Sequence, residues 1–240
     1  TLVIGLLMFF VIGVPIVWAT QWLTDFLTSM RGSMRFVFGA LMGAMAAFDF
    51  GGPVNKVASL FADGLLLEGV TEPEAVKVLA SMVPPFGVGI SLLLARIVRK
   101  PIYTAQERNN IGIAIPMGVC MITEGVIPIA AGDLVRVVLS CSTGAAVGGG
   151  LSMMWGIGSP VPSGGLFIVP AMSNPLLFMV ALLAGSVVTG ILLVLTKRRL
   201  PQDAAGRSGA QTDADPGADP DAQTGADREK DVDLGDISFS

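Results

Sequence analysis

The stretch FDFGGPVNK, residues 48–56, interrupts an otherwise apolar run that begins at Met34. A continuous helix is unfavourable through this stretch, because Gly52 costs backbone entropy and Pro53 has no N–H. The apolar halves within 34–67 are each too short to cross a bilayer, and we expect them to make one crossing together. Freed backbone at membrane depth is tolerated only where it is buried in protein or lines a wet cavity. The break therefore predicts the binding site of a membrane carrier.

The composition places the chain in a lipid bilayer. Of its 240 residues, 52% are hydrophobic and only 14% are charged, and the mean hydropathy is +0.70, which is too apolar for a soluble domain. Basic residues are not interleaved with aromatic ones in any patch, so we expect no nucleic-acid partner. The chain has no histidine, the commonest metal ligand, and we expect neither a metal site nor a cofactor.

Further apolar segments predict a polytopic helical bundle. Four are long enough to span the bilayer: 2–23, 75–98, 134–155 and 174–196. Two others, 111–131 and 159–170, are broken by proline, glycine and polar residues, which predicts hairpins that enter and leave from one face. Closely spaced glycines at 144–150 predict tight helix packing. The predicted fold is an all-α integral membrane protein with broken helices and two re-entrant hairpins.

Charged residues predict the orientation of the chain. The Lys/Arg bias between residues 96 and 108 places that loop in the cytoplasm. If 34–67 crosses once, Arg31 and Arg35 share the cytoplasmic side, and the acidic 68–74 loop faces outward. Residues 201–240 are acidic and rich in Ala, Asp, Gly and Pro, so we predict a disordered cytoplasmic tail. Residues 1–200 then form a multi-pass domain in the cell membrane.

Ionisable residues at the predicted membrane depth are candidates for function, because charge is costly there. Glu124 follows Thr123 among apolar residues. Its carboxylate could accept a hydrogen bond from a sugar hydroxyl and help to remove the proton, or it could satisfy loop amides instead. Asp49 and Lys56 flank the break, and we predict that they neutralise each other, either beside a ligand or as a structural salt bridge.

Other polar residues have two interpretations each. The amide of Asn55 matches the donors and acceptors of a sugar, but it could equally cap the second half-helix. Asp133 lies one helical turn before Arg136, at a hairpin mouth or bonded to loop amides. Cys120 and Cys141 lie in apolar segments and are predicted to be buried packing residues.

Four motifs support a family resemblance: FDFGGPVNK at 48–56, MVPPFG at 82–87, ITEGVIPIAAGDLVRV at 122–137 and PVPSGGLFIVP at 160–170. In order and spacing the chain closely resembles enzyme IIC, the membrane component of the fructose-specific phosphoenolpyruvate-dependent phosphotransferase system. The resemblance covers nearly all of 1–200, without the N-terminal spans of a typical member, and excludes the tail. It implies the architecture of the glucose/fructose/lactose-type sugar permeases, in which a transport domain moves against a dimeric scaffold, and hence a homodimer.

The resemblance also implies a function. Such a permease binds fructose, carries it inward and presents it to a phosphorylated IIB protein, which IIA supplies. Because the chain lacks histidine and its cysteines are predicted to lie in membrane segments, we expect the phosphoryl carrier on the partner, docked at the 96–108 loop. The chain would then be the membrane subunit of a protein-phosphohistidine:sugar phosphotransferase. Motif position makes Glu124 the catalytic carboxylate, with these sugar-binding neighbours: Asp49, Gly51, Gly52, Asn55, Lys56, Thr123, Asp133, Ser163 and Gly164.

Two departures from the family pattern leave alternatives open. Ser163 stands where the family usually has histidine, and Leu134 stands where it usually has proline. Serine can hydrogen-bond a hydroxyl but cannot take a charge. A sugar facilitator or secondary transporter uncoupled from phosphorylation is therefore one alternative, and a non-transporting membrane sensor or scaffold is another.

Overall fold

The computed structural model describes Asp25, Ser29 and residues 32–197. The predicted span at 2–23, Arg31 and the predicted tail at 201–240 lie outside these residues. The described part consists of α- and 3-10 helices, without a strand. In chain order these are α1 Ser33–Phe48, α2 Pro53–Leu67, α3 Glu72–Ile97, α4 Ala105–Val119, a 3-10 helix Glu124–Val126, α5 Ile127–Ala130, α6 Leu134–Met154, a 3-10 helix Gly165–Ala171 and α7 Pro175–Thr196.

Three of the described helices, α3, α6 and α7, are long and apolar enough to cross a membrane. They agree within a few residues with the spans predicted at 75–98, 134–155 and 174–196. α3 continues through Pro84 and Pro85, which lack the N–H groups that would pair with the carbonyls of Ala80 and Ser81. These helices confirm an all-α membrane fold.

The break predicted at 48–56 is confirmed, but α1 and α2 do not make a single crossing. The rings of Phe38 in α1 and Phe61 in α2 lie with centroids 6.1 Å apart. A continuous helix, rising 1.5 Å per residue, would separate them by roughly 35 Å. The prediction of one crossing is therefore wrong. The two helices fold back on each other into a hairpin, residues 33–67, which we call the first hairpin.

Residues 105–131 form the second hairpin, in the folded-back shape predicted for 111–131. α4 ends at Val119, and the chain then turns through Met121, which has a positive φ of 67°. On the return leg, a β-carbon built on Gly125 would lie 3.1 Å from Cα of Ala114. The return leg therefore packs along α4. Its re-entrant position in a bilayer stays a prediction.

Residues 159–171 form a loop that is closed at its base. The N–H of Gly158 donates to Oγ of Ser173 (2.9 Å), and the N–H of Ser173 donates to the carbonyl of Gly158 (3.1 Å). The loop reaches the second hairpin at Gly165, where φ is +58° and a β-carbon would lie 2.8 Å from the backbone N of Met121. Glycine is required there by both conformation and space. The membrane re-entry predicted for 159–170 stays a prediction.

Glycines allow α6 to pack closely against two neighbours, as their spacing predicts. A β-carbon on Gly149 would lie 2.6 Å from the carbonyl oxygen of Gly39 in α1, and one on Gly185 in α7 would lie 2.7 Å from that of Gly144. Backbones this close leave no room for a side chain. α6 therefore lies between α1 and α7.

The bundle has two ends, which we name after Thr71 and Lys100. At the Thr71 end, the N–H of Ser159 donates to the carbonyl of Thr71 (3.0 Å). Arg35 lies there too, because its guanidinium is 3.7 Å from a β-carbon built on Gly156. At the Lys100 end, Lys100 donates to the carbonyl of Val194 in α7. The prediction that Arg35 shares a side with the basic 96–108 loop is therefore wrong, because the first hairpin returns the chain to the end where it began.

Candidate functional site

The first hairpin starts from the Thr71 end and the second from the Lys100 end, and their tips meet at Gly51 and Glu124. Gly51 has a φ of +101°. A β-carbon on Gly51 would lie 2.5 Å from Oε1 of Glu124. The break between α1 and α2 is thus in direct contact with the carboxylate of Glu124, the residue singled out in the sequence.

A cavity of about 330 Å³ lies beside this contact. Its walls come from both hairpins, α3 and the 159–171 loop. The lining residues are Gly51, Asn55, Lys56, Ser59, Leu60, Asp63, Lys77, Ser81, Met121, Thr123, Glu124 and Ser163. The volume is at the lower end of the ~300–1,000 Å³ of small-molecule sites. The hydroxyls, amide, carboxylates and ammonium groups of the wall suit a ligand that carries many hydroxyls.

Most of the predicted site residues line this cavity: Gly51, Asn55, Lys56, Thr123, Glu124 and Ser163. Glu124 is exposed in the cavity wall, at the start of a 3-10 helix, and Thr123 before it is buried. The local sequence, with apolar neighbours on both sides, suggested a carboxylate enclosed by apolar groups. The exposure arises because the hairpin turn presents Glu124 to the cavity rather than to the packed interior.

Asn55 is buried and joins the two halves of the first hairpin. Its Nδ2 donates to the carbonyl of Ala46, in the last turn of α1, and its Oδ1 accepts from Ser59 at 3.3 Å. The last carbonyls of a helix have no partner within the helix. Asn55 therefore closes the end of α1 and holds its own amide at the cavity wall.

Asp49 caps α2 instead of pairing with Lys56. Its Oδ2 accepts from the N–H of Val54 at 2.6 Å, and its Oδ1 accepts from that of Asn55 at 3.0 Å. A carboxylate there satisfies free N–H groups and complements the helix dipole. The predicted Asp49–Lys56 ion pair is absent from the described residues. Gly52 belongs to the same cap, since a β-carbon on it would lie 2.6 Å from Oδ2 of Asp49.

The other residues singled out in the sequence, Asp133, Gly164 and the two cysteines, lie outside the cavity lining. Asp133 forms an ion pair with Arg136 (2.8 Å) just after the second hairpin, and its contact with sugar stays a prediction. Gly164 has a φ of +139° and supports the turn before the second 3-10 helix. Cys141 is buried as predicted, but Cys120 is exposed, because it lies in the hairpin turn after α4 instead of inside a helix.

The sequence marked Asp63 as an ionisable functional candidate at membrane depth but did not assign it to the sugar site, and it did not single out Lys77. Nζ of Lys77 lies 2.6 Å from Oδ1 of Asp63 and 2.6 Å from Oε1 of Glu74. Lys77 is 3% exposed, and Glu74 is fully buried. Glu74 was expected in an outward-facing acidic loop, but it belongs to the first turn of α3. The missed signal was the helical spacing of polar residues 56, 59 and 63 in α2, and of 77 and 81 in α3.

Comparison with curated proteins agrees with the motifs. The chain is 41% identical over 209 residues to the "PTS system fructose-specific EIIC component" of Haloferax volcanii, which covers 87% of this chain and 55% of that protein. It is 38% identical over 211 residues to the "PTS system fructose-specific EIIB'BC component" of Rhodobacter capsulatus, covering 87% and 36%. It is 33% identical over 194 residues to the "Fructose permease IIC component" of Bacillus amyloliquefaciens, covering 81% and 62%.

These alignments confirm the resemblance to the fructose-specific enzyme IIC proteins, to which the chain is homologous over most of its length. It spans about half the length of the Haloferax volcanii relative and about a third of the Rhodobacter capsulatus one. No family model matches the chain. No solved structure matches it either.

Proposed function

We propose that this homologue of the fructose-specific enzyme IIC proteins carries the sugar-translocating site of a phosphotransferase-system permease. In this proposal fructose binds in the cavity between the hairpin tips and is carried inward. The observation behind it is the meeting of Gly51 and Glu124 in a polar cavity, inside a bundle whose long helices are apolar enough to span a membrane. Hydrogen-bonding backbone and side chains at such depth are a pointer to a substrate site.

The residues of the cavity divide into two roles. Glu124, exposed to the cavity, accepts a hydrogen bond from the reacting sugar hydroxyl and helps to remove its proton. Lys56, Thr123 and Ser163 also line the cavity, and they orient the other hydroxyls. Asn55 acts as a positioning residue, because its amide is already bonded to both halves of the first hairpin.

Phosphoryl transfer requires a partner protein. The chain has no histidine, and the proposal places the phosphoryl carrier on a IIB protein that IIA recharges. The sugar oxygen attacks phosphorus, the bond between phosphorus and the carrier residue of IIB breaks, and the hydroxyl proton passes to Glu124. The chain is then the membrane subunit of a sugar phosphotransferase.

The charges support an orientation in the cell membrane. The basic loop at 96–108 lies at the Lys100 end, which the positive-inside rule assigns to the cytoplasm. α7 ends there as well, since Val194 accepts from Lys100. The segment 201–240 would then extend from the cytoplasmic face as the disordered acidic tail, and IIB would dock at the same face. The homodimer implied by the family resemblance is part of this proposal.

One observation favours a second candidate, a sugar facilitator uncoupled from phosphorylation. Ser163, which replaces the histidine usual in the family motif, lines the cavity. A neutral hydroxyl at this point can bind sugar but cannot carry positive charge toward an incoming phosphoryl group. Uptake of unphosphorylated fructose in cells that lack the general phosphoryl donors would favour this candidate.

The proposed function is tested by Glu124→Gln in vesicles that contain the protein and are supplied with phosphoenolpyruvate, the general donor proteins, IIA and IIB. Fructose phosphorylation should be abolished, because the amide has the shape of the carboxylate but cannot take the proton. The matched control is Glu68→Gln, which makes the same change at an exposed carboxylate outside the cavity and should retain activity. A wild-type rate in Glu124→Gln would exclude the role given to Glu124.

A further inference from the structure

A second hollow lies at the Lys100 end, apart from the sugar cavity. Its volume is about 220 Å³, and it is formed by the end of α3, the following loop and the start of α4. The apolar lining residues are Leu92, Ala95, Pro101 and Ile102, together with the ring of Tyr103. The basic lining residues are Arg96, Arg99, Lys100 and Arg108. The hollow therefore combines an apolar lining with a cluster of positive charge.

The guanidinium groups of this cluster are not neutralised from within. Arg96, Arg99 and Arg108 form no ion pair with any described residue. Glu107, next to Arg108 in sequence, is already engaged, since its Oε1 lies 2.5 Å from Nζ of Lys197 and its Oε2 accepts from the N–H of Thr104 at 2.8 Å. These three guanidinium charges, with the ammonium group of Lys100 beside them, repel each other unless an external anion joins them.

Similarly, the carboxylate of Asp133 is bound to the guanidinium of Arg136 at 2.8 Å. Neither Glu107 at the start of the second hairpin nor Asp133 just after its end is therefore available to the arginine cluster. The positive charge of the cluster can therefore be neutralised by an anionic ligand from outside the described residues.

The backbone of Arg99 is held in a conformation that favours glycine. Its φ is +52°, and the turn is closed by the N–H of Lys100 donating to the carbonyl of Ala95 at 2.9 Å. Helices commonly end in this way, but glycine usually occupies the left-handed position. An arginine held there at a conformational cost points to a use for its side chain.

The hollow adjoins a surface suited to lipid. Leu93, Ile97 and Val98, in the last turns of α3 and just after it, are 58%, 76% and 58% exposed. α3 is one of the membrane-length helices, so its end lies where hydrocarbon gives way to headgroups. An apolar surface directly beside guanidinium groups matches the two parts of a phospholipid.

We propose that this hollow binds an anionic phospholipid, with the phosphodiester between Arg96, Arg99 and Arg108 and the upper acyl chain against Leu92 and Ile97. Guanidinium groups bind phosphate oxygens in pairs of parallel hydrogen bonds. Basic pockets at the ends of membrane helices recognise anionic headgroups. The apolar lining and the exposed neighbours favour a lipid over free phosphate.

The test measures lipid retained by the purified full chain after incorporation into bilayers of phosphatidylcholine with or without phosphatidylglycerol. Native mass spectrometry should show retained phosphatidylglycerol on the wild type. Retention should fall by about tenfold or more in the triple variant Arg96→Gln, Arg99→Gln, Arg108→Gln. The matched control, Arg35→Gln, removes a positive charge at the Thr71 end, outside the hollow, and should retain the lipid.

A further variant keeps the test valid if the triple variant does not fold. Arg99→Gly removes one guanidinium while relieving the positive φ, so it should be at least as stable to heat as the wild type and still lose retained lipid. Equal retention in wild type and the arginine variants would overturn the proposal. Displacement of the lipid by millimolar inorganic phosphate would also overturn it, because the arginines would then be a site for phosphate. Loss of IIB binding with unchanged lipid retention would overturn it too, because the arginines would then bind the partner protein.

Discussion

Gly51 and Glu124 face each other so closely that no methyl group fits between them, since a β-carbon on Gly51 would lie 2.5 Å from the carboxylate oxygen. Gly51 belongs to the hairpin that starts at the Thr71 end, and Glu124 to the hairpin that starts at the Lys100 end. Displacement of either tip must alter this contact. The contact therefore links the shape of the cavity to both ends of the bundle.

Gly51→Ala should abolish fructose binding. The new methyl group would displace the Glu124 carboxylate, and φ of +101° at this position is strained for alanine. Binding is measured by isothermal titration calorimetry on the purified protein. The control is Gly64→Ala, where a β-carbon meets open space within α2, which should leave binding intact and stabilise the helix by about 0.5–1 kcal/mol. Unchanged fructose affinity in Gly51→Ala would show that the contact is dispensable.

Lys77→Met should be strongly destabilising. It removes the positive charge 2.6 Å from Glu74, which is fully buried, and breaking a buried pair from one side typically costs about 3–5 kcal/mol. Adding Glu74→Gln should recover much of the loss, because no uncompensated charge then remains buried. The measurement is thermal unfolding in detergent of both single variants and the double variant. Additive losses in the double variant would contradict the pairing.

Asp49→Ala should lower stability more than it lowers fructose affinity. The carboxylate accepts from two N–H groups at the start of α2, and loss of such a cap costs about 1 kcal/mol. Lys56→Met should have the opposite profile, because Lys56 lines the cavity and has no ion pair within the described chain. Thermal unfolding and fructose titration of both variants separate the two effects. Equal losses of stability in Asp49→Ala and Lys56→Met would instead indicate that the two side chains stabilise the hairpin by pairing with each other.

Tyr103 should titrate at unusually high pH. Burial raises the pKa of Tyr103 above the usual tyrosine value of about 10. The folded protein then holds this proton more tightly than the unfolded chain does. The stability contribution is complete below pH about 10 and is lost as the pH rises further. Since the chain has one tyrosine, tyrosinate absorbance reports this group alone.

The tyrosinate midpoint should lie above 10 in the folded protein and return to about 10 in denaturant. Tyr103→Phe should lose less stability in alkali than the wild type. A midpoint near the usual value in the folded protein would contradict the burial of this side chain.

Much of the architecture could be predicted because the signals are local. An apolar run longer than about 20 residues predicts a span wherever it occurs, and α3, α6 and α7 agree with three such runs. Glycine and proline between Phe48 and Lys56 break a helix through their own backbone chemistry. The carboxylate of Glu124 among apolar residues marked a candidate site for the same reason, since the cost of a charge at membrane depth depends on its immediate neighbours.

Only the tertiary structure decided how these pieces meet. A break at residues 49–52 sets no angle between its two helices, and packing of Phe38 on Phe61 and the bond from Asn55 to Ala46 fold them into a hairpin. That fold-back moved Arg35 to the opposite end of the bundle from the 96–108 loop. The chain by itself determined where helices form and break, because those choices depend on nearby residues. Which residues lie beside Lys77 and Glu124 was decided by the packing of separate helices and hairpins, and local sequence patterns carry no information about that packing.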